Sequence, residues 1–393
     1  MRSPDPPAER LWTRAFVALA LADLAYFTAA GILILITPLF AKDALGADPV
    51  GVGLAVGAFS VTALVLRPWT GRMADLRGRR PMLIAGASLC AASIAAHALS
   101  DSLAILVALR LLLGVAEALF FVAGFAMLAD LAPPNRAGEA LSYNSLALYL
   151  GLAIGPSIAE ILFERGSYGL VWVGATALAI AATALAFLLP ETRSRDTSDE
   201  AAPFVLVHRG VLGPSLALFS GITAMAGFLA FVAIYGRDVL GLDGAGPVLM
   251  AYGLTVVGLR IAFAKLPDRV PPYPLAAGAL ALIAVGMFLA GTLTTEAGLL
   301  LGSVVMAIGV AFVTPAVFRI VTMRTSPADR GVALGTVSLF LDLAFGGGPV
   351  LIGFVADAAG IPMGFLLGSA VAASGAVGVA AAALPRRAPA TQQ

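Results

Sequence analysis

Residues 71–81 read GRMADLRGRRP, a charged stretch that separates two long apolar segments of the chain. On either side of it charge is scarce: 12% of the 393 residues are Asp, Glu, Lys or Arg, whereas 60% are hydrophobic. A soluble domain usually contains about 25% charged residues. The mean hydropathy of +0.96 also leaves too little polar surface to cover a water-soluble protein of this size. The sequence therefore predicts an all-α protein embedded in a lipid bilayer.

The same composition argues against several other classes of protein. The net charge is +1, so no basic surplus indicates a nucleic-acid partner. Cys90 is the only cysteine, and the two histidines, His97 and His208, are far apart, so we expect neither an intramolecular disulfide nor a metal site. Because no nucleophile–base pair or phosphate-binding loop is apparent, we expect no cofactor and no enzymatic activity.

A membrane-spanning helix needs about 20 predominantly apolar residues, and the apolar runs of this chain predict twelve such helices. The first six are expected near residues 15–40, 50–70, 81–99, 103–128, 139–161 and 169–189. The second six are expected near residues 214–235, 246–266, 274–292, 298–320, 333–355 and 362–384. The polar interval 190–213 is predicted to link an N-terminal six-helix bundle, residues 1–189, to a C-terminal six-helix bundle, residues 214–393.

The positions of lysine and arginine predict the orientation of the spans. Nearly all of these residues outside the spans fall on one side of the membrane, while the other side carries only Lys42, Arg165 and Arg237. Cytoplasmic loops carry the excess of positive charge. We therefore expect both termini and the linker in the cytoplasm, an even number of spans, and a place in the cytoplasmic (inner or plasma) membrane.

The chain also contains an internal repeat with a constant offset of 193 residues. Four landmarks of the first half recur at this offset: Arg67 as Arg260, Asp75 as Asp268, Gly155-Pro156 as Gly348-Pro349, and Gly138-x-Ala140-Leu141 as Gly331-x-Ala333-Leu334. Coincidence could explain one such match in a chain with 43 glycines, but four matches favour a duplication. Parallel repeats of this kind are an architecture of secondary transporters.

The opening stretch resembles the loop between spans two and three of the major facilitator superfamily, whose pattern is roughly G-x-x-x-D-x-x-G-R-[RK]. Every fixed position of that pattern is met here. In span four, Arg110-x-x-x-Gly114 resembles the family's R-x-x-x-G motif. The resemblance covers the whole chain and implies twelve transmembrane helices in two pseudo-symmetric six-helix bundles.

In span five, Gly151-x-x-x-Gly155-Pro156 resembles the family's antiporter motif, although Ile158-Ala159 replaces its trailing glycine pair. This motif is associated with proton-linked exporters of drugs and metabolites. Gly151 and Gly155 share one helix face and allow close approach of another helix, and Pro156 would kink the span. Either a hinge for alternating access or ordinary packing of small residues would explain these residues.

The resemblance implies a cytoplasmic gate around the opening stretch. Asp75 can pair with an arginine on the following helix or complement the positive N-terminus of a neighbouring helix. The alternative is that the arginines only enforce topology. Because the second copy of the motif lacks the trailing Gly-Arg-Arg, we expect the two sides of the gate to be unequal. The residues assigned to the gate are Arg67, Gly71, Asp75, Gly78, Arg79, Arg80, Arg260 and Asp268.

Among the ionisable residues inside predicted spans, the most informative are Asp23, Arg110, Glu117 and Asp342. A charge at the bilayer centre costs about 2.5–3.5 kcal/mol on insertion scales, so each is a functional hypothesis. Carboxylates that gain and lose a proton as their surroundings change could couple transport to protons, with Arg110 modulating them. The alternative is a static ion pair between Arg110 and Glu117, which lie two turns apart on one helix face.

Polar and aromatic residues near these charges are candidates to line a substrate cavity: Tyr26, Phe27, Asn144, Tyr149 and Phe345. Lipid-facing or core packing is the alternative for each. The leading hypothesis is a monomeric, proton-coupled antiporter that exports small amphipathic or cationic molecules by alternating access. A uniporter or symporter for sugars or organic acids, and a non-transporting membrane receptor, remain alternatives.

Overall fold

The computed structural model describes residues 11–133, 136–193, 207–326 and 329–383. These residues form helices and contain no strand. Residues 194–206, the greater part of the predicted linker, lie outside the described residues, as do both predicted cytoplasmic termini.

Twelve long helices are present in the described residues, one for each predicted span. In the first half they are α1 (Arg14–Asp43), α2 (Pro49–Arg77), α3 (Arg79–His97), α4 (Leu103–Leu131), α5 (Ala137–Arg165) and α6 (Tyr168–Phe187). A 3₁₀ turn at Arg209–Val211 then precedes α7 (Leu212–Asp238) and α8 (Gly246–Ala262). After the four-residue helix α9 (Leu266–Arg269) come α10 (Pro272–Thr292), α11 (Glu296–Arg324), α12 (Arg330–Ala359) and α13 (Ile361–Ala383).

Most of the helices are longer than the apolar runs that predicted them, because a helix continues past the hydrocarbon core into the polar edge of the bilayer. The eighth predicted span differs in the other direction. It was expected to reach residue 266, but α8 ends at Ala262. Pro267 disfavours helical backbone at the residue before it, and the chain turns there into the short α9.

Ten helices in the described part of the chain are long and apolar enough to cross a membrane. The other two long helices are α8, with 17 residues, and α3, whose first turn carries Arg79 and Arg80. Helix length and apolar composition therefore identify ten of the spans directly. The other two, α3 and α8, are assigned because the described residues contain one long helix for each predicted span.

The chain divides into two compact units. The first unit comprises residues 1–47 and 54–200. Its α1 and α5 pack with almost no side chain between them: a Cβ atom added to Gly155 would lie 2.6 Å from the Cα of Gly31, and one added to Gly151 would lie 2.7 Å from the backbone nitrogen of Thr28. The two glycines of the Gly-x-x-x-Gly-Pro motif thus form the contact surface of α5 against α1.

A second close contact in this unit joins α2 to α4. A Cβ atom added to Gly114 would collide with the carbonyl oxygen of Phe59 and the hydroxyl of Thr62. The Thr62 hydroxyl donates a hydrogen bond to the carbonyl of Leu111 at 2.5 Å across the same contact. The glycine of the Arg-x-x-x-Gly motif therefore lets the two helix backbones touch.

The second unit comprises residues 48–53 and 201–393. A Cβ atom added to Gly348 of α12 would lie 2.6 Å from the carbonyl oxygen of Thr223 in α7. Gly348 is the repeat partner of Gly155, so the first and fifth long helices of each half pack closely at an equivalent position. At the end of α11, the Arg319 guanidinium donates to the carbonyls of Pro267 and Val270 (2.9 Å for Val270) and fixes the chain around α9.

Adding a single methyl group at the α1–α5 contact tests this packing. Gly155→Ala must push apart two backbones in van der Waals contact, and overpacking of this kind typically costs about 1–3 kcal/mol. We expect a fall of several degrees in the Tm of the purified protein in detergent. The matched control is Gly347→Ala, where the added Cβ meets nothing within 4 Å. Equal Tm values for the two variants would contradict the packing described here.

Candidate functional site

The close packing of α1 and α5 brings two buried polar side chains together. The Nδ2 of Asn144 donates a hydrogen bond of 2.6 Å to Oδ2 of Asp23. Asp23 is 4% exposed and Asn144 is 3% exposed. The other amide atom, Oδ1 of Asn144, is buried and receives no hydrogen bond from the described residues. The pair therefore forms one hydrogen bond, and the Oδ1 of Asn144 can accept another from a ligand or a protonated group.

The aromatic residues one turn after Asp23 on α1 pack against aromatic residues of α4. Tyr26 stacks on Phe120 with ring centroids 4.0 Å apart and an interplanar angle of 4°. Phe27 meets Phe121 edge to face at 6.5 Å. Tyr26 and Phe27 are both buried. These contacts favour the packing alternative for the two rings.

Backbone carbonyls of α2 hold Arg110 in place. Its Nε donates to the carbonyl of Ala55 at 3.0 Å and its Nη2 to that of Val56 at 2.9 Å. The guanidinium also lies over the ring of Phe59, 5.0 Å from the centroid. The contact at Gly114 thus places α2 carbonyls beside the guanidinium, while Glu117 lies two turns further along α4, half-buried.

The remaining predicted site residues of the spans are distributed over both units. Asp342 is 5% exposed on α12 of the second unit, and Phe345, one turn further on, is half-buried. Tyr149 is half-buried on α5 of the first unit. Among the predicted residues inside the spans, Asp23 and Asn144 contact each other directly.

The charged loop between α2 and α3 forms an ion cluster with the end of α4. Nη2 of Arg79 lies 3.2 Å from Oδ1 of Asp75, and Nε of Arg79 lies 3.1 Å from Oδ2 of Asp130. The hydroxyl of Thr192 donates to the same Asp130 oxygen at 2.7 Å. Asp75 thus pairs with an arginine on the following helix, and that arginine is Arg79. Asp130 was missed, although a carboxylate near the end of a predicted span on the gate side was a usable signal.

Glu191 caps the N-terminus of α3. Its carboxylate accepts hydrogen bonds from the backbone nitrogens of Arg79 at 2.9 Å and Arg80 at 3.2 Å. A helix N-terminus presents free N–H groups and a partial positive charge, and so it attracts an anion. Gly78 precedes the helix with φ of +104°, and a Cβ there would collide with the Glu191 carboxylate. The positive φ therefore favours glycine at this position, and a larger residue would also displace the Glu191 side chain.

Two opposing influences act on the pKa of Glu191. Partial burial raises the pKa, but hydrogen bonds from the backbone nitrogens of Arg193, Arg79 and Arg80 outweigh it and hold the pKa below its ordinary value of 4.5. Because Glu191 follows α6 at the start of the predicted linker, it was not assigned to the gate from the sequence. Its signal was an acid directly after an apolar span, on the side of the charged loop.

The other predicted gate residues lie on α2, α8 and α9. The Arg67 guanidinium lies over the ring of Phe121, 4.9 Å from the centroid, and the nearest atom to a Cβ at Gly71 would be Cγ1 of Val122 at 3.9 Å. In the second copy, Arg260 is half-buried in the last turn of α8 and Asp268 lies in α9; the side chain of Asp268 is outside the described residues. A helix break between α8 and α9 thus stands where the first copy has the tight α2–α3 turn.

Twelve long apolar helices in a duplicated arrangement, with buried charges in both units, define a membrane transport protein. Residues 19–318 match the Major Facilitator Superfamily. The chain belongs to this family, which confirms the resemblance noted from its motifs and the predicted fold class.

Relatives of known sequence and structure agree with this assignment. An uncharacterised MFS-type transporter of Salmonella typhimurium is 29% identical over 354 residues, covering 88% of this chain and 90% of the relative. The crystal structure of the human organic anion transporter MFSD10 superposes with a TM-score of 0.72 at 20% identity, covering 95% of this chain and 100% of that one. The nucleoside transporter NupG gives a TM-score of 0.77 at 14% identity, covering 94% and 99%.

The cap formed by Glu191 predicts a pH-dependent contribution to stability. Since the folded-state pKa is lowered, the ionised carboxylate stabilises the fold above pH 4.5, and this contribution is lost as the pH falls through the folded-state value. Glu191→Gln should lower the Tm modestly at pH 7, because water screens an exposed charge. The difference from the unsubstituted protein should disappear in acid.

The measurement is thermal unfolding of both proteins between pH 7 and pH 3. Glu164→Gln, which removes an exposed carboxylate at the end of α5, serves as the control and should leave the Tm unchanged at pH 7. A Tm difference for Glu191→Gln that stays constant across this range would contradict the proposed cap.

Proposed function

We propose that the protein is a proton-coupled antiporter that exports small amphipathic or cationic molecules by alternating access. The observation that carries this proposal is the buried hydrogen bond of 2.6 Å between Asn144 and Asp23. A carboxylate in the interior of a membrane protein is costly unless it is functional or well paired. One neutral amide partner is a weak compensation for a full charge, so Asp23 is suited to exchange a cation or a proton.

Asn144 can serve both protonation states of Asp23. When Asp23 is ionised, it accepts a hydrogen bond from Nδ2, as in the described geometry. When Asp23 is protonated, its O–H becomes a donor, and the amide oxygen of Asn144, which has no donor among the described residues, can accept it after the amide rotates. A hydrogen bond between the two side chains can thus form in either protonation state of Asp23.

A cationic substrate would compete with the proton for the same place. An ammonium group carries several N–H donors, which match the ionised Asp23 carboxylate and the free Oδ1 of Asn144. Proton and substrate then bind in alternation, since protonation removes the charge that attracts the cation. Mutually exclusive binding at a single site is what antiport requires.

We assign supporting roles to the other buried charges. Arg110 is fixed by two carbonyls of α2, so its positive charge stays in one place while the carboxylates titrate. Glu117, on the same helix face, and Asp342, on α12, are the second and third proton-coupling carboxylates. Tyr149 and Phe345 remain candidates to line the substrate cavity.

The cluster around Arg79 is proposed as the cytoplasmic gate of a monomeric transporter in the inner or plasma membrane. Its ion pairs with Asp75 and Asp130 are partly exposed, and exposed pairs contribute only about 0–1 kcal/mol each. Such a cluster can break in every cycle. Both termini and the linker would then face the cytoplasm, with the bundles 1–189 and 214–393 moving against each other.

Transport assays in proteoliposomes test proton coupling. Export of the lipophilic cation ethidium should respond to an imposed pH gradient, and Asp23→Asn or Glu117→Gln should abolish that response because a neutral amide cannot exchange a proton. The control Asp101→Asn removes an exposed carboxylate ahead of α4 and should keep the response. An unaltered response in both test variants would refute the assignment, and inward accumulation of a sugar or organic acid with protons would favour symport.

A further inference from the structure

An open groove lies on the outside of the first unit, where α3 begins and α6 ends. Its volume is about 430 Å³, and it is lined by Arg80, Pro81, Ile84, Ala85 and Phe187. Pro81 and Ala85 are exposed, and Phe187 is 55% exposed. Apart from Arg80, every lining residue is apolar. The groove therefore combines one cation with an apolar wall at the membrane surface of the protein.

Arg80 is held at the end of this groove, and no acid of the described residues compensates its charge. Its Nη2 donates to the carbonyl of Phe187 at 2.8 Å, one of the last carbonyls of α6, which have no partner within the helix. In the described part of the chain no carboxylate lies within ion-pair distance of its guanidinium, and its buried Nε has no hydrogen-bond acceptor. The neighbouring Arg79, in contrast, has two carboxylate partners.

The described acids around the start of α3 have other partners. Asp75 and Asp130 are paired with Arg79. The Glu191 carboxylate is occupied by backbone N–H groups of α3 and by that of Arg193. Among the described residues the guanidinium of Arg80 therefore has no acidic partner, and it can bind an anionic ligand.

The direction of the groove indicates what this anion is attached to. Arg80 is the second residue of α3, and Ala85 lies five residues further on, about 7.5 Å deeper at a rise of 1.5 Å per residue. The cation is therefore at the polar edge of the bilayer and the apolar wall extends toward its hydrocarbon core. A phospholipid has the same order of parts, with a phosphate followed by acyl chains.

We propose that this groove is a binding site for an anionic phospholipid, whose phosphate contacts Arg80 and whose acyl chain lies along Ile84, Ala85 and Phe187. Basic residues at a membrane surface attract anionic lipids, with about 1 kcal/mol for each Lys or Arg. The bound lipid bridges the start of α3 and the end of α6, the same junction that Glu191 closes from the aqueous side. This site is independent of the proposed proton coupling.

Native mass spectrometry of the full chain in detergent, titrated with phosphatidylglycerol, tests the site. Arg80→Gln should weaken binding about fivefold, which corresponds to the loss of one basic residue. The control Arg77→Gln removes an exposed arginine that does not line the groove and should retain most of the affinity. Phosphatidylcholine with the same acyl chains, which has no net charge, should bind more weakly than phosphatidylglycerol.

A second pair of variants tests the apolar wall without altering charge. Ala85→Trp fills the groove and should weaken phosphatidylglycerol binding, whereas Ala92→Trp, at an exposed position two turns along the same face of α3, should not. This pair keeps the test valid even if Arg80→Gln unfolds through loss of its bond to α6. Unchanged affinity in Ala85→Trp, equal binding of the two lipids, or complete competition by inorganic phosphate at equal concentration would overturn the lipid site.

Discussion

The contact between α1 and α5 is the constraint on which the candidate site depends. Because Gly31, Gly151 and Gly155 have no side chains, the two backbones approach to within contact distance. Asp23 and Asn144 lie about two turns before these glycines on their own helices, and only this spacing lets a short Asn side chain reach the carboxylate. With larger residues at the contact, the carboxylate would be buried without that donor, at a cost typical of an unsatisfied charge.

Close packing of helices at a glycine also determines the hydrogen bonds of Arg110. A guanidinium inside a membrane protein must find acceptors, and helix carbonyls are already used within their own helix. Carbonyl oxygens have a second lone pair, and the contact at Gly114 brings those of Ala55 and Val56 within reach. Asp23 and Arg110 therefore both find hydrogen-bond partners where glycines let two helices approach closely.

The sequence predicted the helices well and the contacts between them poorly. Span lengths follow from apolar runs, which are local, and so twelve predicted spans correspond to twelve helices. Asp23 and Asn144 were both singled out, but their contact joins positions 121 residues apart and depends on helix packing that no local pattern encodes. Glu191 and Asp130 were missed for a related reason: polar residues just outside a span resemble ordinary loop residues until the fold brings them to α3.

The second half of the repeat retains the close helix contact of the first but not its polar pair. At the offset of 193 residues Gly155 corresponds to Gly348, and both contact the first helix of their half. Asp23 and Asn144, however, correspond to Leu216 and Val337. Leu216 is 53% exposed and Val337 is fully buried, so the second unit has no polar pair at this position. Its own buried acid, Asp342, corresponds to Tyr149 of the first unit. The close contact between the first and fifth long helices is therefore present in both halves, whereas the buried acid occupies a different position in each. The small residues at the contact suffice to set the approach of the two backbones, and the charges beside it can differ.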